Sequence, residues 1–213
     1  TTCSATAIDA PSGQTIAGAS LPNRAAIAPP ATDPGRHELD LVALRDLTVE
    51  LLARMAQSLG ERVSEIQGIG VTGQQHSLAL LGQRNEPLGP AITWQDRRVE
   101  QLIPDRQETY LQHLIAQAGG PSAFSSCGCL PRVGYMGPTL YWLGQQGHLE
   151  SSARACFVPD AVVSFLTNEP PCCDATNAGS SGIFDITRDD WHWEIVERLG
   201  LPPTIFPPVK PSG

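Results

Sequence analysis

A stripe of apolar residues between Asp40 and Gly60 constrains the fold of this chain most strongly. Its members are Leu44, Leu47, Leu51, Met55 and Leu59. They recur at intervals of three and four residues, which predicts an amphipathic helix with one buried face. Asp40 is a typical residue to begin such a helix, and Gly60 is a typical residue to end it. A helix with one apolar stripe must pack against another layer of the fold.

Strand-like patterns stand on both sides of this helix. Residues 3–9 and 15–20 alternate around a Pro-Ser-Gly-Gln turn, which predicts a hairpin. Residues 66–71 predict a short buried strand and residues 77–81 a second one, after which the pattern is mainly helical. This order predicts an α/β fold with a mixed sheet and flanking helices.

The charge balance limits the partners of the chain. It has 213 residues, 41% of them hydrophobic, and 14 basic against 22 acidic residues give a net charge of −8. No basic stripe is present, so we expect neither nucleic acid nor an anionic membrane as a partner. No apolar run approaches the roughly 18 residues that span a bilayer. With no basic leader segment before an apolar run, a cytoplasmic location is expected.

The six cysteines allow disulfides by number, but free thiols are the better prediction. A chain of this size can stabilise itself by burial, and we expect no secretory signal. Neither Cys127-Gly128-Cys129 nor Cys172-Cys173 has the spacing of a zinc site. We predict no metal site in this chain.

Two polar clusters joined by a hairpin are the first candidates for function. Gln74-Gln75-His76 follows Gly73, and Trp94-Gln95-Asp96-Arg97-Arg98 follows the hairpin. Neutral amides and an imidazole suit hydroxyl groups better than phosphates, and a Trp ring can cover the carbon face of a sugar. The alternative is structural: the first cluster caps its own backbone, Trp94 belongs to the core and Asp96 only caps a helix.

Familiar nucleotide and hydrolase motifs do not explain the chain. Gly179-Ser180-Ser181-Gly182 is one residue short of a nucleophile elbow. Neither a phosphate-binding G-x-x-x-x-G-K-[ST] loop nor a G-x-G-x-x-G turn occurs.

Five stretches together resemble the motifs of the FGGY family of carbohydrate kinases, which phosphorylate sugars and polyols with ATP. In chain order they are Gly68–His76, Pro90–Arg98, Tyr135–Leu143, residues 173–179 with the later pairs Phe184-Asp185 and Asp190-Trp191, and the two stretches Leu199–Pro202 and Phe206–Gly213. Each motif is weak alone. Their common order makes the resemblance specific, and it covers essentially the whole chain.

The resemblance implies an actin-like ATPase fold with a ribonuclease H-like sheet. In this family two such domains close over a cleft, with the sugar held mainly by the first and ATP mainly by the second. Residues 1–213 correspond to the first, sugar-binding domain, incomplete at both ends, and the C-terminal ATP-binding domain is absent. The family's catalytic Asp is expected beyond Gly213. The chain therefore contains no catalytic residue of its own, and we expect it to be inactive alone.

Individual roles follow from the same resemblance. Gln75 and His76 stand where family members grip sugar hydroxyls, and Trp94 stands at a substrate-facing aromatic position. Asp96 matches the motif and is counted with the substrate-binding residues, although its character is more architectural. Tyr135 is expected to line the sugar pocket.

The cofactor side is represented by the first two residues. Thr1 and Thr2 correspond to the end of the family's phosphate-side D-x-G-T-T stretch, whose Asp and Gly are absent here. ATP and Mg²⁺ are the expected cofactors of the complete enzyme. Its expected partners are a small-molecule sugar and the missing C-terminal domain, and a homodimer is left open.

The sugar is expected to be a ketose. Gln75-His76 resembles the Met-His pair of ketose kinases more than the Arg-Glu pair of glycerol kinases. Residues 93–96 and 35–40 are similar to sedoheptulose kinases, with xylulose kinases as the alternative. Two further alternatives are a sugar-binding or regulatory module without catalysis, and an unrelated α/β domain with accidental motif matches.

Overall fold

Eleven strands and six α-helices are present among residues 2–212, the part of the chain that the computed structural model describes. The strands are β1 (Thr2–Ile8), β2 (Thr15–Pro22), β3 (Ala26–Ile27), β4 (Glu38–Leu39), β5 (Leu78–Leu81), β6 (Ala91–Ile92), β7 (Arg154–Phe157), β8 (Cys173–Asp174), β9 (Phe184–Asp185), β10 (Asp190–Trp191) and β11 (Val209–Lys210). The helices are α1 (Leu41–Leu59), α2 (Tyr110–Ala118), α3 (Met136–Gln145), α4 (Val158–Thr167), α5 (Ala175–Gly179) and α6 (Trp193–Arg198). Short 3-10 helices cover Gly60–Glu65, Arg98–Glu100, Pro121–Cys127 and Pro203–Ile205.

The largest sheet has five strands in the order β3-β4-β6-β5-β7, and its neighbouring strands are antiparallel. Strands β1 and β2 form a separate antiparallel hairpin, and β9 and β10 form another antiparallel pair. Strands β8 and β11 run parallel. Both strand orientations therefore occur, but in different sheets.

Alternate residues of the central strands enter opposite cores. On β5, Leu78 joins the core beneath α2, α3 and α6, whereas Ala79 and Leu81 join the core beneath α1 and α4. On β7, Phe157 points to the first core and Cys156 to the second. Because side chains of a strand alternate between its faces, a sheet covered by helices on both sides has this pattern.

The predicted long helix is confirmed, with its signals at both ends. The Asp40 carboxylate accepts hydrogen bonds from the backbone N–H groups of Val42 (2.8 Å) and Ala43 (3.0 Å). Gly60 ends the helix with φ of 58°, a left-handed value that glycine adopts at little cost. Leu44, Leu47, Leu51 and Met55 are all buried.

The predicted hairpin is also confirmed, and it packs on α1. Strand β1 pairs with β2 from Thr2↔Pro22 to Ile8↔Thr15. Leu21 of β2 packs with Leu47 and Leu51 of the helix. The hairpin therefore forms a small apolar cluster of its own.

The strand predicted at residues 66–71 is wrong. These residues form no strand, and the side chains of Ile66 and Ile69 are 48% and 61% exposed. A strand needs a neighbour to pair its N–H and C=O groups, and no described strand lies in register with this segment. Glycines at 68, 70 and 73 add no side chains that could pack it in place.

The six cysteines are free thiols. Burial raises the pKa of Cys127 to about 12, and burial also raises the pKa of the Cys156 thiol well above its usual value. Reactive cysteines need a lowered pKa, so these two are packing residues. Within residues 2–212, no helix combines the length and the apolar character that crossing a bilayer requires.

Candidate functional site

The loop after residue 72 places the first polar cluster at the start of the central strand β5. A Cβ atom on Gly73 would lie 3.1 Å from the ring of Pro159, at the start of α4, so the loop passes close to that helix. His76 then adopts φ of 69°. Ser77 follows and is fully buried. Residues 74–76 therefore precede β5 without belonging to it.

His76 contacts two distant parts of the chain. Its Nδ1 lies 2.7 Å from the carbonyl oxygen of Ser180, 104 residues away. Its ring stacks on the ring of Tyr135 with centroids 4.3 Å apart and planes inclined by 3°. The structure thereby brings together His76 and Tyr135, two residues that the resemblance predicted for the sugar site from different motifs.

Trp94 joins the same region through its backbone. A Cβ atom on Gly134 would stand 1.8 Å from the Trp94 carbonyl oxygen, and Gly134 also has φ of 79°. Only glycine fits there, so the loop before Tyr135 is pressed against the Trp94 backbone. The Trp94 side chain is 50% exposed, which contradicts the alternative that it belongs to the core.

The two glutamines of the first cluster differ in environment. Gln75 is exposed, and its side chain makes no hydrogen bond with any described residue. Gln74 is half-buried, and its buried Nε2 also lacks a hydrogen-bond partner within residues 2–212. A buried donor without a partner costs free energy, so such a group is a candidate for binding a ligand or a water molecule.

Unlike the side chains of the two glutamines, the carboxylate of Asp96 is buried and hydrogen-bonded within the protein. Its carboxylate is 2% exposed and accepts hydrogen bonds from Arg98 Nε (2.7 Å), Arg98 Nη2 (2.8 Å) and the backbone N–H groups of Arg98 (3.0 Å) and His37 (2.8 Å). Arg98 also donates to Glu38 at 2.7 Å and lies 5.1 Å from the centre of the Trp142 ring. Asp96 is thus saturated by protein donors, which gives it the architectural character that the motif suggested.

The charges of this network reinforce one another. Burial would lower the pKa of Arg98, but its hydrogen bonds and its attraction to Asp96 and Glu38 outweigh burial and raise it. The guanidinium is therefore permanently charged. It joins the strand that contains Glu38 to the segment after Trp94.

Side-chain hydrogen bonds hold the segment that leads to Ser180, and the Ser181 N–H, which donates to the Ala178 carbonyl at 2.9 Å, fixes the peptide unit of the Ser180 carbonyl. Asp174 begins α5 and accepts from the backbone N–H of Asn177 (2.9 Å) and from its side-chain Nδ2 (2.8 Å). The Ser180 hydroxyl donates to the Asn177 carbonyl at 2.7 Å. Asp174, Asn177 and Ser180 were missed as site residues by sequence reasoning, although the first two lie within a stretch that it singled out.

Asp160, next to the loop that contains Gly73, has a buried carboxyl group. Burial raises the pKa of Asp160 to about 7, opposed by a hydrogen bond from the Phe157 N–H and supported by the charge of Asp174. The Phe157 backbone donates to Asp160 at 3.0 Å. Asp160 follows Pro159, the residue that Gly73 approaches.

The predicted phosphate side is barely represented. Thr2 is exposed at the first position of β1, while Thr1 lies outside the described residues. Residues 2–212 contain no group of three or more His, Cys, Asp or Glu side chains that could hold a metal ion.

In the cluster of His76, Tyr135 and Trp94, His76 and Tyr135 are partly exposed and Trp94 is exposed. Two surface grooves lie elsewhere and contain none of these three residues. One is lined by Asp33, Pro34, Gly35, Arg97, Glu100 and Gln101, and the other by Trp193, Glu197, Gly200, Leu201, Pro202 and Pro203. Neither groove combines aromatic faces with unpaired neutral donors, so the cluster is the better candidate site.

Comparison with known proteins agrees with the motifs. A family model described as the FGGY family of carbohydrate kinases, N-terminal domain, matches residues 1–213. A glycerol kinase from Leptothrix cholodnii is 28% identical over 188 residues, which is 84% of this chain and 36% of that protein. A xylulose kinase from Haemophilus influenzae is 28% identical over 137 residues, which is 63% of this chain and 26% of that protein. The chain thus spans about a third or less of the length of these relatives.

Solved structures agree in fold. The crystal structure of xylulose kinase from Rhodospirillum rubrum has a TM-score of 0.81 at 24% identity, covering 99% of this chain and 41% of that chain. Gluconate kinase from Lactobacillus acidophilus has a TM-score of 0.73 at 20% identity, covering 99% and 40%. The expected α/β, actin-like ATPase fold is confirmed.

Proposed function

The chain belongs to the FGGY family of carbohydrate kinases, and we propose that it is the N-terminal, sugar-binding domain of an ATP-dependent sugar or polyol kinase. The observation that carries this proposal is the stacked pair of His76 and Tyr135, beside the backbone of the exposed Trp94. Aromatic faces and neutral polar groups suit a ligand with apolar carbon faces and many hydroxyls. Gln75 provides a further unpaired amide on the exposed side.

We assign Gln75, His76, Trp94 and Tyr135 to sugar binding, and Asp96 to the scaffold. The four donors that surround the Asp96 carboxylate support this division, because a ligand would have to displace one of them. Asp96 then acts on the sugar only indirectly, by fixing the segment that begins with Trp94.

The proposed substrate is a ketose. Gln75 and His76 do not form a charged pair. They resemble the Met-His pair of ketose kinases more than the Arg-Glu pair of glycerol kinases. Xylulose is one ketose to test first, since the relatives include proteins named xylulose kinase. Sedoheptulose is the other, because residues 35–40 and 93–96 resemble sedoheptulose kinases. Glycerol is the second candidate because other relatives are named glycerol kinase.

The proposed role of this domain in catalysis is positioning. Phosphoryl transfer passes through a loose transition state, so the protein mainly orients the groups and neutralises charge. A carboxylate within hydrogen-bond reach of the sugar hydroxyl must accept its proton, and we place that carboxylate in the part of the relatives that this chain does not span. Closure of two domains would then exclude water from the reaction.

ATP would supply the phosphoryl group, and Mg²⁺ would neutralise its charge. The described residues do not fit these groups by themselves, because Thr2 offers only one exposed hydroxyl and no cluster of metal ligands is present within residues 2–212. We therefore assign the binding of both cofactors mainly to the second domain, which also makes that domain the proposed partner. A homodimer and a cytoplasmic location stay predictions.

The proposal is tested by ADP release from the complete gene product with sedoheptulose, xylulose, ribulose and glycerol, with the 213-residue chain as control. We expect turnover with one ketose and none by the chain alone. Glycerol turnover exceeding that of every ketose would overturn the ketose assignment. If no sugar is turned over but a thermal-shift screen shows that one binds, the chain is a sugar-binding module without catalysis.

A further inference from the structure

The backbone of His76 is unusual among the described residues. Five non-glycine residues have positive φ: His76, Asn85, Asp105, Asn168 and Asp189. Four of them are Asn or Asp, the residue types that adopt the left-handed region most readily after glycine. His76 is the histidine among these five, and its ring contacts Tyr135 and Ser180, which are distant in the chain. A residue with a left-handed backbone whose side chain is held by distant residues is a candidate for a functional role.

Two contacts determine the orientation of the His76 ring. The Tyr135 ring covers one of its faces in a nearly parallel stack, and the Ser180 carbonyl lies 2.7 Å from Nδ1. A carbonyl oxygen can only accept a hydrogen bond, so Nδ1 must donate and therefore carries a proton. In the neutral imidazole the other nitrogen, Nε2, then has a lone pair.

The outer nitrogen is available to a ligand. Nε2 of His76 makes no hydrogen bond with another residue of the described range, and it is not among the buried polar atoms without partners. It is therefore open to solvent. The Ser180 carbonyl is held in place because it shares a peptide unit with the Ser181 N–H, which donates to the Ala178 carbonyl at 2.9 Å. The Ser180 N–H also donates to the Asn177 carbonyl at 2.9 Å.

We propose that Ser180 and Tyr135 are positioning residues that hold His76 as the Nδ1–H tautomer, so that Nε2 accepts a hydrogen bond from a sugar hydroxyl. This inference rests on the proposed function for the identity of the ligand. It adds the direction of the hydrogen bond: the sugar donates and the protein accepts. A group without a proton to give, such as a carboxylate or a phosphate, meets a lone pair at this point and is disfavoured.

The segment from Asp174 to Ser180 would then orient the ring of His76. Its last residue, Ser180, is 104 residues from His76 in the sequence, but its carbonyl selects which nitrogen of His76 faces the ligand. Glu or Gln at position 76 would present an acceptor too. Only a ring, however, can combine that acceptor with the stack on Tyr135.

His192 is an internal control. Its Nδ1 accepts a hydrogen bond from the Ile195 N–H at 3.3 Å, so its proton must be on Nε2. The two histidines are therefore expected to be opposite tautomers in the same molecule. Long-range proton–nitrogen NMR of the chain with ¹⁵N-labelled histidine distinguishes them, and the variants His76→Gln and His192→Gln assign the signals.

We expect Nδ1–H for His76 and Nε2–H for His192 in the neutral rings without any sugar. Tyr135→Phe keeps the stack and should leave the His76 tautomer unchanged, whereas Tyr135→Ala should allow a mixture. A wild-type His76 that is mainly Nε2–H, or evenly mixed, would overturn the inference whatever the activity of the protein.

Addition of the ketose that the complete gene product turns over should then shift the Nε2 signal of His76 and leave that of His192 in place. If that ketose leaves the His76 Nε2 signal unchanged at saturation, the acceptor role is wrong although the kinase assignment stands. If no sugar is turned over, the proposed function fails, and the tautomer measurement still decides whether Ser180 and Tyr135 position the ring.

Discussion

The two polar clusters that the hairpin joins differ in how completely their polar groups are hydrogen-bonded within the protein. The carboxylate of Asp96 and the guanidinium of Arg98 are hydrogen-bonded to each other, Arg98 also donates to Glu38, and the side chains of Asp96 and Arg98 are almost completely buried. Around His76 the backbone is left-handed, Gln75 has no bonded side chain, and the Gln74 amide has a buried donor without a partner. The polar groups of Asp96 and Arg98 are thus satisfied by the protein, whereas those of Gln74 and Gln75 are not.

The difference shows how a scaffold residue can be separated from a binding residue within one motif. A saturated, buried ion pair contributes to the arrangement of the chain, and removing one member leaves the other charge uncompensated. An unsaturated, strained polar group weakens the folded state unless a ligand completes it. Substitutions of Asp96 and Arg98 should therefore change stability, and substitutions in the Gln74–His76 cluster should change binding.

The largest expected effect is in the saturated cluster. Arg98→Met should lower the free energy of unfolding by about 3–5 kcal/mol, because it leaves the buried carboxylate of Asp96 without a cation. Urea unfolding measures this loss. The neighbouring Arg97 is the matched control: its pair with Glu100 is exposed, so Arg97→Met should cost less than about 1 kcal/mol. Equal losses in the two variants would contradict the distinction.

The next effect concerns pH. The native carboxyl of Asp160, with its pKa of about 7, keeps its proton to a higher pH than the unfolded chain does. Its contribution to stability is therefore greatest below about pH 4 and is lost as the pH rises through about 7, by a few kcal/mol at most. Asp160→Asn keeps an acceptor for the Phe157 N–H and removes this titration. Unfolding midpoints at pH 5 and pH 8 should differ less in the variant, and an unchanged difference would refute the raised pKa.

A smaller effect links the two clusters. Gly134→Ala should cost roughly 1–2 kcal/mol for the left-handed backbone, and more because its Cβ would overlap the Trp94 carbonyl. Gly147→Ala is the control, since Gly147 has φ of 70° but open space around it, and should cost only the backbone strain. Thermal unfolding compares them. Gly134→Ala should also weaken sugar binding, which Gly147→Ala should not.

The smallest effect on stability is expected in the unsaturated cluster. Gln75→Ala should change the free energy of unfolding by less than about 0.5 kcal/mol, because its side chain has no partner to lose. It should nevertheless raise the ketose KM of the complete gene product about fivefold, which corresponds to one neutral hydrogen bond of about 1 kcal/mol. Gln57→Ala, on the exposed face of α1, should change neither quantity. An unchanged KM in Gln75→Ala would remove Gln75 from the site.

Sequence patterns predicted the elements whose signals are local. The helix from Leu41 to Leu59 has its apolar stripe, its N-cap and its terminal glycine within about twenty residues, and all three are present in the structure. The segment 66–71 has an equally clear apolar pattern. A strand depends on a distant neighbour for its hydrogen bonds, and the sequence of the strand itself does not contain that neighbour.

The residues of the candidate site likewise divide into those with a local sequence signal and those whose role depends on distant contacts. Resemblance singled out His76 and Tyr135, which the structure stacks together. Gly134 and the Ser180 carbonyl could not be inferred, since their importance arises from close approaches across 40 and 104 residues of chain. The glycine directly before Tyr135 was the one local sign, because a turn that needs positive φ favours glycine.

Chemical-shift mapping of the ¹⁵N-labelled chain during titration with xylulose and with sedoheptulose tests the division between the clusters most directly. One of the two ketoses should shift the amides of residues 74–76, 94 and 134–135 while the side-chain signals of Arg98 stay in place. Shifts confined to the groove beside Trp193, or centred on Asp96 and Arg98 without change at His76, would contradict it.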